Sequence, residues 1–149
     1  MIEECTGCKI ANENSNFIIY KTENFILLQD PEVPLKGFFI VQAKKHVNSI
    51  IDFEEEQQIE LIKLTNRARL VLKELNICQE VTIVQEERSK HFHIWLFPNY
   101  DWMQEKFGKG IEYLRDINEY IIENATEKDK KEVLKVVESL KKYFNDKGE

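Results

Sequence analysis

This chain is poor in the residues that usually announce chemistry: three cysteines, three histidines and three prolines in 149 residues. A small, odd number of cysteines excludes a disulfide framework and points to metal or redox chemistry. No apolar run approaches the roughly 18–20 residues that cross a bilayer. The first residues, Met-Ile-Glu-Glu-Cys, are acidic where a signal peptide is basic and then apolar. The expectation is a cytoplasmic protein with no membrane partner. Positive charge is not in excess either, since 21 Lys and Arg face 27 Asp and Glu, for a formal net charge of −6. That sign argues against binding a nucleic acid polymer and leaves room for a local pocket that takes a phosphorylated ligand. No internal repeat and no low-complexity linker divides the chain.

What is present reads as one globular domain, with 42% hydrophobic and 32% charged residues. Phe17-Ile18-Ile19-Tyr20 and Phe25-Ile26-Leu27-Leu28, separated by a polar stretch, predict a β-hairpin. Asp30-Pro31-Glu32-Val33-Pro34 is a turn, because two prolines cannot sit in a central strand. Phe38-Phe39-Ile40-Val41 is a third strand. Asp52 is a predicted N-cap with Glu55 at the capping-box position. The helix it opens carries Ile59, Ile62, Ala68, Val71, Leu72 and Leu75 on one face. Val81–Val84 and His91–Phe97 follow as strands, the second ended by Pro98. A helical tail starts near Trp102, breaks at Gly108 and Gly110, and resumes as Ile111–Asn124. A last helix is capped by Thr126 with Asp129 and buries Val133, Val136, Val137, Leu140 and Phe144.

The strand from His91 concentrates the chemistry. Alternation puts His91, His93, Trp95 and Phe97 on one side and the apolar Phe92, Ile94 and Leu96 on the other. The apolar side is the predicted core face, against the long helix. The histidine side is left for solvent, a pocket or a metal. Cys5-x-x-Cys8 makes a metal the better reading, because two thiolates and two imidazoles form a favourable tetrahedral set for Zn²⁺. Only His46, His91 and His93 can supply the imidazoles, and a surface pair of cysteines without metal is the alternative. A redox CxxC would sit between a strand and a helix in a βαβ pattern, which is absent here. Cys78 reads as an ordinary buried residue.

In this order the landmarks resemble the histidine-triad (HIT) superfamily of nucleotide hydrolases and transferases, across about residues 5–100. They are Cys5-x-x-Cys8-Lys9-Ile10, the Tyr20–Leu28 hairpin, Leu28-Gln29-Asp30-Pro31, Gly37 to Lys44-Lys45-His46, and His91-x-His93 closed by Pro98. The resemblance implies an α+β fold, with an antiparallel sheet of about five strands on one main helix. Residues 1–100 would be the core and 101–149 a C-terminal helical extension of the same domain. It implies a structural zinc held by Cys5, Cys8, His46 and His91, and a homodimer with sheets side by side. His93 would be the nucleophile, attacking the α-phosphate of a nucleotide conjugate to form a covalent nucleotidyl-histidine. The conjugate would be a dinucleoside polyphosphate, a nucleoside phosphoramidate or a nucleotide sugar. Asp30 would bind the ribose, although a turn-starting role before Pro31 explains it equally well. Ile10, Phe25 and Leu27 are candidates for the base pocket, and Ser89, Lys90 and Arg88 for donors to phosphate oxygens.

Three positions depart from that pattern. Trp95 stands where the third motif position is histidine or glutamine, and Phe38 where histidine often follows Gly37. The loop Gln85–Lys90 brings Glu86 and Glu87 and lacks the usual glycines. Trp95 can donate one hydrogen bond, stack on a base or narrow the pocket, but it cannot act as an acid or base. A nucleotide-binding protein with impaired catalysis, or a zinc-stabilised interaction module, is therefore the alternative to an active enzyme.

Overall fold

Strand register decides which side chains of this chain can meet. The computed structural model describes residues 5–12 and 15–147, so the acidic first four residues lie outside the described residues. A short helix α1 (Thr6–Asn12) precedes the hairpin β1 (Ile18–Lys21) and β2 (Phe25–Gln29), then β3 (Phe39–Ala43). The long helix α2 (Glu55–Glu74) leads to β4 (Val81–Gln85) and β5 (His93–Pro98). Three more helices follow, α3 (Asp101–Lys106), α4 (Leu114–Asn124) and α5 (Glu127–Lys147). The strands form one sheet in the order β1-β2-β3-β5-β4, every neighbouring pair antiparallel. This is the expected α+β architecture with five strands.

One face of the sheet gathers Phe25, Leu27, Val41, Ile94 and Leu96 against Leu61, Leu64, Ala68, Val71 and Leu72 of α2. Val137, Leu140 and Phe144 of α5 enter the same cluster. Phe144 stacks on Tyr20 at 4.9 Å, with the Arg67 guanidinium over its ring. Each fully buried side chain of this size contributes about 1.5–3 kcal/mol. The hairpin turn is tied to the same helix, since Glu60 accepts from the backbone N–H and side-chain amide of Asn24 and from the Thr22 hydroxyl. On the opposite face, Phe38 and Phe97 pack with Val33, Leu35, Met103, Ile117 and Ile121. The histidine side of the sheet is therefore covered by α3 and α4 around Phe97 and left accessible around His93 and Trp95.

Three local expectations need correction. Asp52 does not cap the long helix: Ser49 caps a 3₁₀ turn at Ile50–Asp52, and the Asp52 carboxylate accepts from the Ser49 N–H. Helix α2 starts at Glu55, with Glu54 as its N-cap. Its buried stripe is Leu61, Leu64, Thr65, Ala68, Val71 and Leu72, while Ile59 and Ile62 are 48% and 62% exposed. Finally, β5 begins at His93: the Phe92 N–H turns to the Val47 carbonyl, while the Phe92 carbonyl still accepts from the Ala43 N–H of β3. The tail follows its predicted caps, with the Asp129 carboxylate accepting from the Thr126 backbone and hydroxyl.

Candidate functional site

Helix α1 brings the two cysteines to the start of the histidine segment. The Nδ1 of His91 lies 3.4 Å from Cys5 Sγ and 3.6 Å from Cys8 Sγ, and the Nδ1 of His46 lies 3.3 Å from Cys8 Sγ. All four ligand atoms fall within 4.8 Å of one another. Zinc bonds of about 2.3 Å to sulfur and 2.0–2.1 Å to nitrogen, at tetrahedral angles, separate S from N by about 3.5 Å. The observed spacings fit that figure, so the set is suited to a closed, four-coordinate zinc with no position left for water.

The surroundings point the same way. The Nε2 of His91 faces the Ala43 carbonyl at 2.7 Å, which fixes the proton there and leaves Nδ1 as a lone pair toward the sulfurs. Burial pushes the His91 pKa down, favouring the neutral ring that a metal requires. Burial and then the neighbouring Cys5 push the Cys8 thiol up. Gly7 lets the helix approach, since a Cβ there would lie 2.4 Å from the His91 ring. Gln42 clamps it, its side-chain amide donating to the Gly7 carbonyl at 2.9 Å.

His93 sits next to this cluster, opposite Gln42 in the β3–β5 register. Its Nδ1 is 3.0 Å from the His91 carbonyl and 3.4 Å from the Ser89 hydroxyl. With Nδ1–H donating to that carbonyl, Nε2 carries the lone pair. A cavity of about 530 Å³ is lined by His93, Ile10, Ile40, Gln42, Ser89, Lys90, Trp95 and parts of the metal cluster. Trp95 meets the buried Phe38 edge to face at 5.2 Å, so two of the three departures from the histidine-triad pattern fall in one aromatic pair. Lys90 adopts φ +69°, a left-handed conformation that directs the chain around the tight loop before His91.

Of the residues singled out from sequence, Ile10, Ser89, Lys90, Trp95, His93 and the four metal candidates converge here. Phe25 and Leu27 do not. Both are fully buried on the α2 face, because they pair with Ala43 and Val41, one residue out of phase with Gln42 and His93. Ile26 and Leu28 take the His93 side instead, opposite Gln42 and Ile40. Arg88 is bound to Glu86 at 2.5 Å and stands outside the cavity lining. Asp30 does start the turn: its Oδ1 accepts from the Glu32 and Val33 amides at 2.8 and 2.9 Å. Burial raises its pKa against those two amides, and His93 lies close enough to act on its charge. Ile40 and Gln42 were not anticipated. Their only sequence signal is the polar Gln42 inside an apolar strand. Cys78 is buried in the main core. Trp102 lines a separate cavity of about 540 Å³ with Tyr100 and Tyr120.

Comparison with known proteins bears on the fold. No family model matches the chain. An uncharacterized HIT-like protein of Methanocaldococcus jannaschii is 28% identical over 113 residues, spanning 70% of this chain and 88% of that protein. A zinc-bound histidine triad family protein of Mycobacterium smegmatis superposes with a TM-score of 0.65 at 16% identity, covering 97% of each chain. The diadenosine triphosphate hydrolase of Plasmodium falciparum superposes with a TM-score of 0.62 at 15% identity, over 91% of this chain and 80% of that one.

Proposed function

We propose, starting from the histidine-triad fold that this chain has, that it binds a nucleotide conjugate and acts at its α-phosphate through His93. The observation that carries the reading is the fixed imidazole. The His91 carbonyl holds His93 Nδ1 at 3.0 Å, and Nε2 is left for a cavity with room for a nucleoside phosphate. A neutral imidazole oriented in this way attacks phosphorus without a helper base. Phosphoryl transfer then depends on positioning and on donors to the phosphate oxygens. The Ser89 hydroxyl, the Lys90 ammonium and the Trp95 indole N–H are the donors at hand. Asp30 has Oδ1 engaged in its turn, and Oδ2 is the atom offered to a ribose hydroxyl.

Cys5, Cys8, His46 and His91 are the residues that would hold zinc. When bound, the ion supplies cross-linking of α1, the His46 loop and the segment before β5, with no Lewis-acid role at the substrate. The same reading joins two copies sheet to sheet along β4. Among the described residues that strand ends the sheet on one side, and α5 packs against the strand that ends it on the other, β1.

A labelled diadenosine polyphosphate tests the mechanism. The zinc-loaded wild type is expected to form an acid-labile nucleotidyl adduct. His93→Ala should form none and turn over at least about a hundredfold more slowly. Equal activity in the two proteins would refute the role of His93. A second reading, nucleotide binding without turnover, draws on the Trp95–Phe38 pair, which fills with hydrocarbon a place that a polar group would use. Nucleotide affinity with no turnover across a broad panel would favour it.

A further inference from the structure

Among the described residues, the cavity around His93 offers hydrogen-bond donors and very little that can give up a proton. Its lining holds Thr6, Gln42, Ser89 and Trp95, which donate but do not ionise near neutral pH. Cys5, His46 and His91 also line it, and they belong to the metal cluster. Lys90 is exposed at the rim, where its ammonium is a charge for phosphate oxygens. Asp30, whose charge reaches His93, does not line the cavity and has one oxygen committed to the turn amides. Trp95 itself is the side chain next along β5 on the His93 face, and it lines the same cavity with a ring that cannot act as an acid. It is held there by packing against the buried Phe38.

From this we infer that no described residue of the site protonates the leaving group, and that the site therefore selects conjugates whose leaving group departs as a stable anion. The inference rests on the proposed chemistry at His93. In the first step the Nε2 lone pair forms a bond to the α-phosphorus, and the bond from phosphorus to the leaving oxygen breaks. The electron pair leaves with that oxygen. The Nδ1 proton stays in place, so the phosphorylated ring is an imidazolium still donating to the His91 carbonyl. In the second step water attacks phosphorus, the P–N pair returns to Nε2, and the proton of the water passes to solvent. Neither step requires a protein acid provided that the leaving group is a phosphate, a pyrophosphate, a sugar phosphate or a nucleoside polyphosphate. An alkylamine or an alkoxide has no such exit. Of the three conjugate classes that the histidine-triad resemblance implies, dinucleoside polyphosphates and nucleotide sugars remain, and nucleoside phosphoramidates of alkylamines drop out.

The test uses the zinc-loaded full chain with a series of adenosine 5′-(substituted phenyl) phosphates, diadenosine triphosphate and an adenosine 5′-N-alkylphosphoramidate. Wild type is expected to show kcat/KM falling steeply as the leaving phenol becomes more basic. The phosphoramidate should react at least about a hundredfold more slowly than diadenosine triphosphate, which is the scale of a missing general acid. Trp95→His should flatten the dependence and raise phosphoramidate turnover about tenfold or more. Lys90→Met should lower all rates in parallel without altering the slope. A shallow wild-type dependence, or phosphoramidate turnover equal to that of diadenosine triphosphate, would overturn the inference while leaving the His93 mechanism standing. A steeper slope in Lys90→Met would overturn it too, by revealing Lys90 as the acid. No turnover of any substrate and no adduct on His93 would instead remove the mechanism, and the inference with it.

Discussion

Asp30 carries two demands that pull in opposite directions. The turn needs an acceptor at Oδ1, which an asparagine supplies as well as an aspartate, whereas the burial that raises the Asp30 pKa penalises its charge. A carboxyl whose folded-state pKa lies above its unfolded value favours folding when protonated, and that contribution is lost as pH rises through the folded value. At neutral pH the charge is therefore a cost, which the proposed ribose contact would offset. Asp30→Asn is expected to raise Tm at pH 7 by roughly 2–5 °C. The gain should shrink as pH falls toward the ordinary carboxylate range near 4, where the wild-type residue is itself protonated. The same variant should bind adenosine monophosphate about 10–100-fold more weakly, as for a lost hydrogen bond to a charged group. Thermal scans across pH, with calorimetric binding at pH 7, check both halves. Equal affinity in the two proteins would confine Asp30 to its turn. The sequence showed that Asp30 precedes a proline turn. Which of its oxygens the turn uses is a fact of backbone direction, visible only in three dimensions.

Among the elements, β4 is an edge strand with an exposed apolar side chain. Its side chains are half-buried or exposed, Ile83 is 58% exposed, and among the described residues one row of its backbone groups has no neighbouring strand. An exposed edge with an apolar side chain either pairs or invites aggregation. Ile83→Lys is expected to convert a dimer into a monomer in sedimentation experiments, with the monomer fold kept because Ile83 is outside both cores. A wild type that sediments as a monomer would remove the edge-pairing proposal. Helix α2 shows why its face was misread. Ile59, Ile62 and Leu70 are exposed beside the buried Leu61, Leu64 and Leu72, so more than one 3.6-residue phase fits the apolar residues, and contact with the sheet selects one. The strands were easier, because short apolar runs between turns leave few alternatives. Choosing which of their two faces meets His93 needed the β2–β3–β5 register, a long-range property. Phe25 and Leu27 were misplaced for that reason, and Ile40 and Gln42 were overlooked.

At the scale of the molecule, the metal cluster was the most legible feature. Three histidines and a CxxC leave few combinations, and those residue types have few other reasons to converge. The cavity beside it was legible only in part, since its walls come from α1, β3, the loop before β5 and β5 itself. No described helix is long and apolar enough to cross a membrane.

The attachment of α1 has a thermodynamic consequence. Ile10, a wall of the cavity, belongs to the helix that Cys5, Cys8 and the Gln42–Gly7 contact hold in place. Whatever stabilises the docked helix must then favour both occupants of the region. On the proposed function, zinc and nucleotide would be linked ligands: each should raise the affinity of the other by the same factor, because the coupling free energy is reciprocal. A factor of about 5–150 corresponds to the usual range of such couplings. Competition with a calibrated chelator, in the presence and absence of adenosine monophosphate, measures it from the metal side. Titration of the nucleotide into zinc-loaded and metal-free protein measures it from the other. The two factors must agree at equilibrium, so a disagreement would mean that one of the titrations had not reached it. Equal factors near one would mean that α1 stays docked without its ion.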